Sequence, residues 1–359
     1  MKKTFIILLA VVMVFTLVAC GGGSGQQAEN TEGTDTTATT SEKPGDTAST
    51  GTVDKVVIGA CVMDLANEIF IQYTNGYKAF TEACGGKVEI NVVDGASKPE
   101  KQVEALENFI NSGVGAIMLN ALDLSAVEDV INRAMDNDIK VGVYPSREGV
   151  TMNFVFDEYI WGFDLGVEAG NWINEHLDGK AKVACFNQAE LEQALGRYNG
   201  YIDGVLSVCE KDNIEFLEPI STVEPVSAQS GMETIMKAHP DVKVVLCSAD
   251  AAAVGAYQAI IGSNLDTTDM FLGGCDGIPE ALQYIQEGTV FRATCANAKS
   301  TEEMGFDLVQ NLTKAVLGLD HESEYVAPTK IVNSDNIEEY LAAKPNYQLD
   351  PELATALGQ

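Results

Sequence analysis

The feature that most constrains this chain is an alternation of short β-branched runs with amphipathic stretches, which begins near Val53 and starts over near Trp161. Val56-Val57-Ile58-Gly59-Ala60-Cys61-Val62 is apolar throughout, as expected of a strand covered on both faces. A helix is expected over 70–84, a strand over 87–93 and a helix over 99–112, where Val103, Leu106, Phe109 and Ile110 share one face. Residues 116–119 read as a third strand, 125–137 as a helix with Ser125 as its N-cap, and 140–144 as a fourth strand. Parallel neighbours can be joined only by crossovers, and helices in those crossovers cover the sheet, so this order predicts a parallel sheet with helices on both faces.

The same wiring then repeats. Helices are expected over 161–177, 193–209, 229–238, 252–261 and 279–286, and strands over 181–186, 214–220, 242–247, 270–273 and 290–296. A chain of 359 residues has length enough for two domains. The expectation is α/β, with two doubly wound parallel-sheet lobes. Ligands of open α/β sheets sit outside the carboxyl ends of the strands, so two facing lobes would place a binding site between those ends.

Before this body lies a different kind of sequence. Lys2 and Lys3 precede an apolar run over 5–19, too short for a comfortable membrane span of about 20 residues. It ends in Leu17-Val18-Ala19-Cys20-Gly21, which resembles the lipobox of bacterial lipoproteins. The resemblance implies that 1–19 is a signal peptide and that Cys20 becomes the lipidated first residue of the mature chain. Residues 21–52 are Gly, Ser, Thr, Gln and Ala with scattered acids and no aromatic residue. Such a stretch buries too little apolar surface to offset its ordering entropy, so 20–52 is expected to be a tether with a mean reach of roughly 30 Å.

Composition narrows the function. A net charge of −31 repels phosphate backbones, and no nucleic-acid partner is expected. Besides Cys20 there are seven cysteines and no CxxC pair, which leaves zinc ribbons and thioredoxin-like sites without support and predicts mainly free, structural thiols. No P-loop, nucleophile elbow, HExxH or Rossmann fingerprint occurs, and His176, His239 and His321 lack ligand spacing. Nothing assembles a nucleophile, a base and an orienting partner. The chain is therefore read as a non-enzyme with no cofactor and no metal.

The segment Ile58 to Tyr77, the stretch Ala238-His239-Pro240-Asp241-Val242, the turn Cys247-Ser248-Ala249-Asp250 and the loop Gly273-Gly274-Cys275-Asp276-Gly277-Ile278-Pro279 resemble the ribose/galactose type of class I periplasmic binding proteins. The resemblance implies a three-crossover hinge, with a first lobe of 53–156 plus 298–325, a second of 157–297 plus 326–345, and a tail over 346–359. It also implies a monomer that captures a small sugar or sugar-like solute and hands it to the permease of an ABC importer, anchored by lipid on the outer face of the cell membrane. A receptor presenting its ligand to a membrane sensor would share the fold and differ only in partner.

The implied ligand-binding residues follow position by position. Asn67 stands for an amide that meets adjacent hydroxyls, and Phe70 for a ring that packs on a sugar face or, alternatively, anchors the helix core. Ile69 occupies a position where relatives carry a second ring. Tyr144 and Arg147 end the fourth strand, with Arg147 as a cation for the solute or an exposed loop residue. Leu195 and Ala249 replace an expected Arg and Asn, while Arg197 resembles a structural Arg of the family. Asp250, Asp276 and Asn297 complete the set. Asp276 is the leading candidate, an Asx-turn being its structural alternative.

Overall fold

The computed structural model describes residues 55–189 and 195–359; the expected signal peptide, lipidated Cys20 and tether lie outside the described residues. The first lobe opens with β1 (Val56–Val62), α1 (Glu68–Ala83), β2 (Val88–Asp94), α2 (Pro99–Ser112), β3 (Ala116–Asn120), α3 (Leu124–Asp136), β4 (Lys140–Tyr144) and β5 (Met152–Val155). The apolar run of β1 is buried between two layers, as its composition requires: alternate residues face a core under α1 and a core under α2 and α3. The N-cap of α3 is Asp123, not Ser125. Its Oδ1 accepts from Ser125 N at 2.9 Å and from Ser125 Oγ at 2.7 Å. A carboxylate also meets the positive end of the helix dipole, which a hydroxyl does not.

The chain then crosses through Phe156 and Asp157 into α4 (Glu158–His176), β6 (Ala181–Asn187), α5 (Leu195–Val208), β7 (Ile214–Phe216), β8 (Ile220–Ser221), α6 (Pro225–Ala238), β9 (Val244–Cys247), α7 (Asp250–Ile261), β10 (Phe271–Cys275), α8 (Pro279–Gln286) and β11 (Phe291–Asn297). The single strand expected over 214–220 is two short ones. Helices α4 and α5 pack unusually close, because Gly162 and Gly166 on one meet Gly200 and Gly204 on the other, each pair four residues apart, while Gly170 lies against Val205 and Val208. A methyl group at Gly162 would overlap the Arg197 carbonyl, and one at Gly200 the Tyr159 carbonyl. This contact brings Arg197 against the start of α4.

Beyond β11 the chain returns to the first lobe with α9 (Thr301–Val316) and β12 (Glu324–Val326), then passes once more to the second with β13 (Thr329–Asn333) and α10 (Ile337–Ala342). Three crossovers thus join the lobes. The first sheet has the order β12-β5-β4-β3-β1-β2, all parallel; the second runs β13-β11-β10-β9-β6-β7, parallel except for β13, with β8 also pairing β6. Strands β5, β12 and β13 lay outside the sequence expectation, being short and bare of periodic signal.

The final segment is more than a tail. Helix α11 (Pro351–Ala356) sets Leu353 and Leu357 into the first-lobe core, Tyr347 stacks on Phe306 at 5.4 Å, and Lys314 reaches Asp350 at 3.3 Å. All seven described cysteines are free and buried. Burial pushes the Cys61 and Cys185 thiols up to about 12, which keeps them protonated and unreactive.

Candidate functional site

Both sheets have their topological switch beside the first strand of the lobe, between β1 and β3 in one and between β6 and β9 in the other. Polar side chains without protein partners gather at those strand ends. Asn120 Oδ1 ends β3, Asn187 Oδ1 ends β6, Ser248 Oγ follows β9 and Asn297 Oδ1 ends β11; all four atoms are buried and accept or donate no hydrogen bond. Buried polar atoms are ordinarily paired, so Asn120, Asn187 and Ser248 at the two switch points, with Asn297 at the end of β11, mark where hydroxyl or amide partners fit.

Arg197, in the first turn of α5, organises the second lobe's share. Its Nε donates to the Glu158 carboxylate, while Nη1 donates to the Ser248 carbonyl and to Asp276 Oδ1, the last at 3.0 Å. Its guanidinium carbon lies 4.9 Å from the centre of the Trp161 ring. The Arg197 side chain is 14% exposed, against 29% for Glu158 and 39% for Asp276, so the carboxylates keep the open side.

Asp276 sits after β10 with φ at 119°, a value that L residues rarely adopt. Burial raises its carboxyl pKa, Arg197 pulls it back, and Glu158 adds to the rise. The loop is held from behind by Asp250. This residue is fully buried at the start of α7; its Oδ2 accepts from Gly277 N at 2.8 Å and Ile278 N at 3.0 Å, and its Oδ1 from Thr294 Oγ1 at 2.9 Å. Burial first, and Asp276 second, push the Asp250 carboxyl up to about 8. Gly274 has no room for a side chain because a methyl group there would overlap Asp250 Oδ1. Asp250 therefore positions the Asp276 loop, whereas the sequence reading had it meeting the solute.

In the first lobe, Asn67 is the N-cap of α1, its Oδ1 accepting from Ile69 N at 3.1 Å. Phe70 is half-buried against the first-lobe core, 6.5 Å from the Tyr73 ring, so the core-anchor role is real. Tyr144 packs on Phe154 at 5.6 Å and Phe156 at 5.8 Å, and Phe156 continues to Trp161 at 6.3 Å. This aromatic series runs through the first crossover from one lobe to the other. Burial, then the Glu158 carboxylate, raises the Tyr144 phenol, which ties Tyr144 to the Arg197 cluster.

Arg147 goes elsewhere. Its Nη2 donates to Asn132 Oδ1 at 2.5 Å, with Glu128 at 3.9 Å, and Nη1 to Glu148 O at 3.3 Å. Asn132 lies two turns along α3, away from the strand ends, so the guanidinium is spent on that helix. Asn297 stands at the second crossover, paired with Thr329, and its carbonyl accepts from Tyr340 Oη at 3.3 Å.

Glu158, Trp161, Asn120, Asn187 and Ser248 were not singled out from the sequence. A usable signal existed for two of them: the apolar strands β3 and β6 each end in an unexplained Asn. Glu158 and Trp161 carry no local mark, since only the contact between α4 and α5 brings them to Arg197.

Two doubly wound lobes with polar groups gathered at both switch points define a solute-binding protein. The chain belongs to the periplasmic binding protein family, whose domain matches residues 58–318, and within it to the class I, ribose/galactose type. The ribose import binding protein of Bacillus subtilis is 27% identical over 296 residues, covering 80% of this chain and 85% of that protein. Among solved structures, a periplasmic ribose ABC transporter protein from Conexibacter woesei aligns with a TM-score of 0.66 at 16% identity, covering 82% of this chain and 96% of that one. An ABC transporter solute binding protein from Bacillus halodurans with bound myo-inositol gives 0.58 at 21% identity, covering 82% and 99%. At these identities the two structures speak for the fold alone.

Proposed function

We propose that this protein is a lipid-anchored, extracytoplasmic solute receptor that captures a small sugar or sugar-like polyol between its lobes and delivers it to an ABC permease. The observation that carries the reading is the set of unpartnered polar atoms of Asn120, Asn187 and Ser248 at the two switch points and of Asn297 at the end of β11. Amide and hydroxyl groups of this kind bond both donors and acceptors, as a polyol demands. Asn67, Phe70, Tyr144, Asp276 and Asn297 are the proposed contacts, with Asp250 holding the Asp276 loop from behind and Arg147 bound to α3 instead. The ribose named for the Bacillus subtilis relative and the myo-inositol bound to the Bacillus halodurans protein are polyols of the size intended.

Closure follows from contacts that exist only when both lobes touch the solute, a shift in population toward the closed state. Anchoring through Cys20 would keep the protein near its permease.

A thermal-shift screen of sugars and cyclic polyols tests capture: a ligand at 100 times its Kd adds about 2.7 kcal/mol to the folded state. Membrane fractionation tests the anchor. Cys20→Ala protein should leave the membrane fraction of a native-like host, and retention there would remove the lipid from the proposal.

A further inference from the structure

We propose that the captured solute carries a protonated amine beside its hydroxyl groups, as in an amino sugar or an amino cyclitol, and that Glu158 and Asp276 hold the ammonium group. This inference deepens the solute-binding reading and rests on it.

The charge balance of the cluster leads there. Glu158 and Asp276 are two carboxylates served by one guanidinium, and among the described residues Arg197 is the only cation within ion-pair distance of either. Arg147, the other arginine on a strand-end loop, is committed to Asn132 and Glu148. The segment just before α5 contains Glu190 and Glu192 and no basic residue. Asp250 is fully buried and already bonded to Gly277 N, Ile278 N and Thr294 Oγ1, so it does not draw on Arg197. One negative charge is therefore left over, on the more open sides of the two carboxylates.

A partly buried, uncompensated carboxylate is costly, and a cation beside it removes that cost. Rings strengthen the case: Tyr144, Phe156 and Trp161 form a continuous aromatic series that reaches the Arg197 cluster, and ring faces attract an ammonium group. The cluster also holds free hydrogen-bonding atoms. Ser248 and Trp161 are each 3% exposed and both touch Arg197, one through its carbonyl and one through its ring, yet Ser248 Oγ and Trp161 Nε1 have no partner. These suit the hydroxyl groups of the same solute. At long range, a net charge of −31 draws cations toward the protein and repels anions.

The test uses matched pairs on the intact protein by calorimetry: glucose with glucosamine, galactose with galactosamine, and myo-inositol with an amino-inositol, each amine also in its N-acetylated, uncharged form. The amine of at least one pair should bind about tenfold or more tightly than its neutral partner, with the advantage lost on acetylation and reduced by added salt. Glu158→Gln and Asp276→Asn should each shrink that advantage to about threefold or less, whatever either costs the neutral partner. If Glu158→Gln fails to fold, as circular dichroism would reveal, Asp276→Asn and the acetylated ligands decide the matter. Neutral members binding as tightly as their amines would overturn the inference and leave the solute-binding reading standing. If no member of any pair binds, the amine inference falls, and the wider thermal-shift screen alone decides the solute-binding reading.

Discussion

Arg197 Nη1 donates to Asp276 Oδ1 at 3.0 Å, while Nε of the same side chain donates to the Glu158 carboxylate. One guanidinium thus joins the first turn of α5, the loop after β10 and the first residue of α4, three segments far apart in the chain. Its planar fork suits this task in a way that a lysine ammonium would not. The consequence is that Asp276 is held in place before any solute arrives, with Asp250 fixing the backbone behind it.

Asp276→Ala should weaken solute binding by about 10- to 150-fold, the equivalent of about 1.5–3 kcal/mol for a hydrogen bond to an ionised acceptor. Arg147→Ala should change affinity by no more than about twofold, because its guanidinium serves α3. Calorimetry with the identified solute measures both. Equal losses in the two variants would return Arg147 to the site.

The buried Asp250 carboxyl predicts a pH dependence. An unfolded chain releases this proton near 3.8 and the folded protein near 8, so between those values the folded state holds the extra proton. Its contribution therefore falls as pH rises through the window and levels off above about 8. Urea melts at pH 5, 6.5 and 8 should show a downward slope in the parent that is shallower in Asp250→Asn. Parallel slopes would mean that Asp250 titrates normally.

Close packing of α4 on α5 makes Gly200 intolerant of a side chain. Gly200→Ala forces a methyl group onto the Tyr159 carbonyl and should cost about 2 kcal/mol or more. It should also weaken solute binding, since Arg197 lies one turn away on the same helix. Gly262→Ala, whose methyl group would come 3.2 Å from the Gln258 carbonyl, is the milder comparison and should cost clearly less than Gly200→Ala in chemical denaturation.

The last helix should be part of the cooperative unit. Leu353→Ala, at a fully buried position of the first-lobe core, should destabilise the protein by about 2–5 kcal/mol. A urea midpoint indistinguishable from that of the parent would show that α11 docks without contributing.

Much of this architecture was legible in the order of residues. The apolar run of β1, the helical face of Val103, Leu106 and Phe109, and the restart at Trp161 each report a local period, and local periods survive in a linear string. The two lobes and the parallel sheets follow from them. So does the prominence of the loop around Asp276, because its glycines mark backbone that must turn and pack tightly. Other features left no such trace. Strands β5, β12 and β13 are edge or near-edge pieces of three to five residues, too short to show a period. The docking of α11 rests on two leucines that look like any others in a polar tail.

The site divides in the same way. Asn67, Tyr144, Asp276 and Asn297 could be proposed from the sequence because each ends or follows a recognisable strand, where ligands of such sheets gather. The roles of Asp250, Arg147, Glu158 and Trp161 were decided only by tertiary contacts: Asp250 with Gly277 and Ile278, Arg147 with Asn132, and Glu158 and Trp161 with Arg197. A carboxylate or a guanidinium reads alike in sequence whether its partners are a solute or the protein itself. Which of the two it meets depends on the close approach of elements distant along the chain, and here glycines on two helices and a buried loop set that approach.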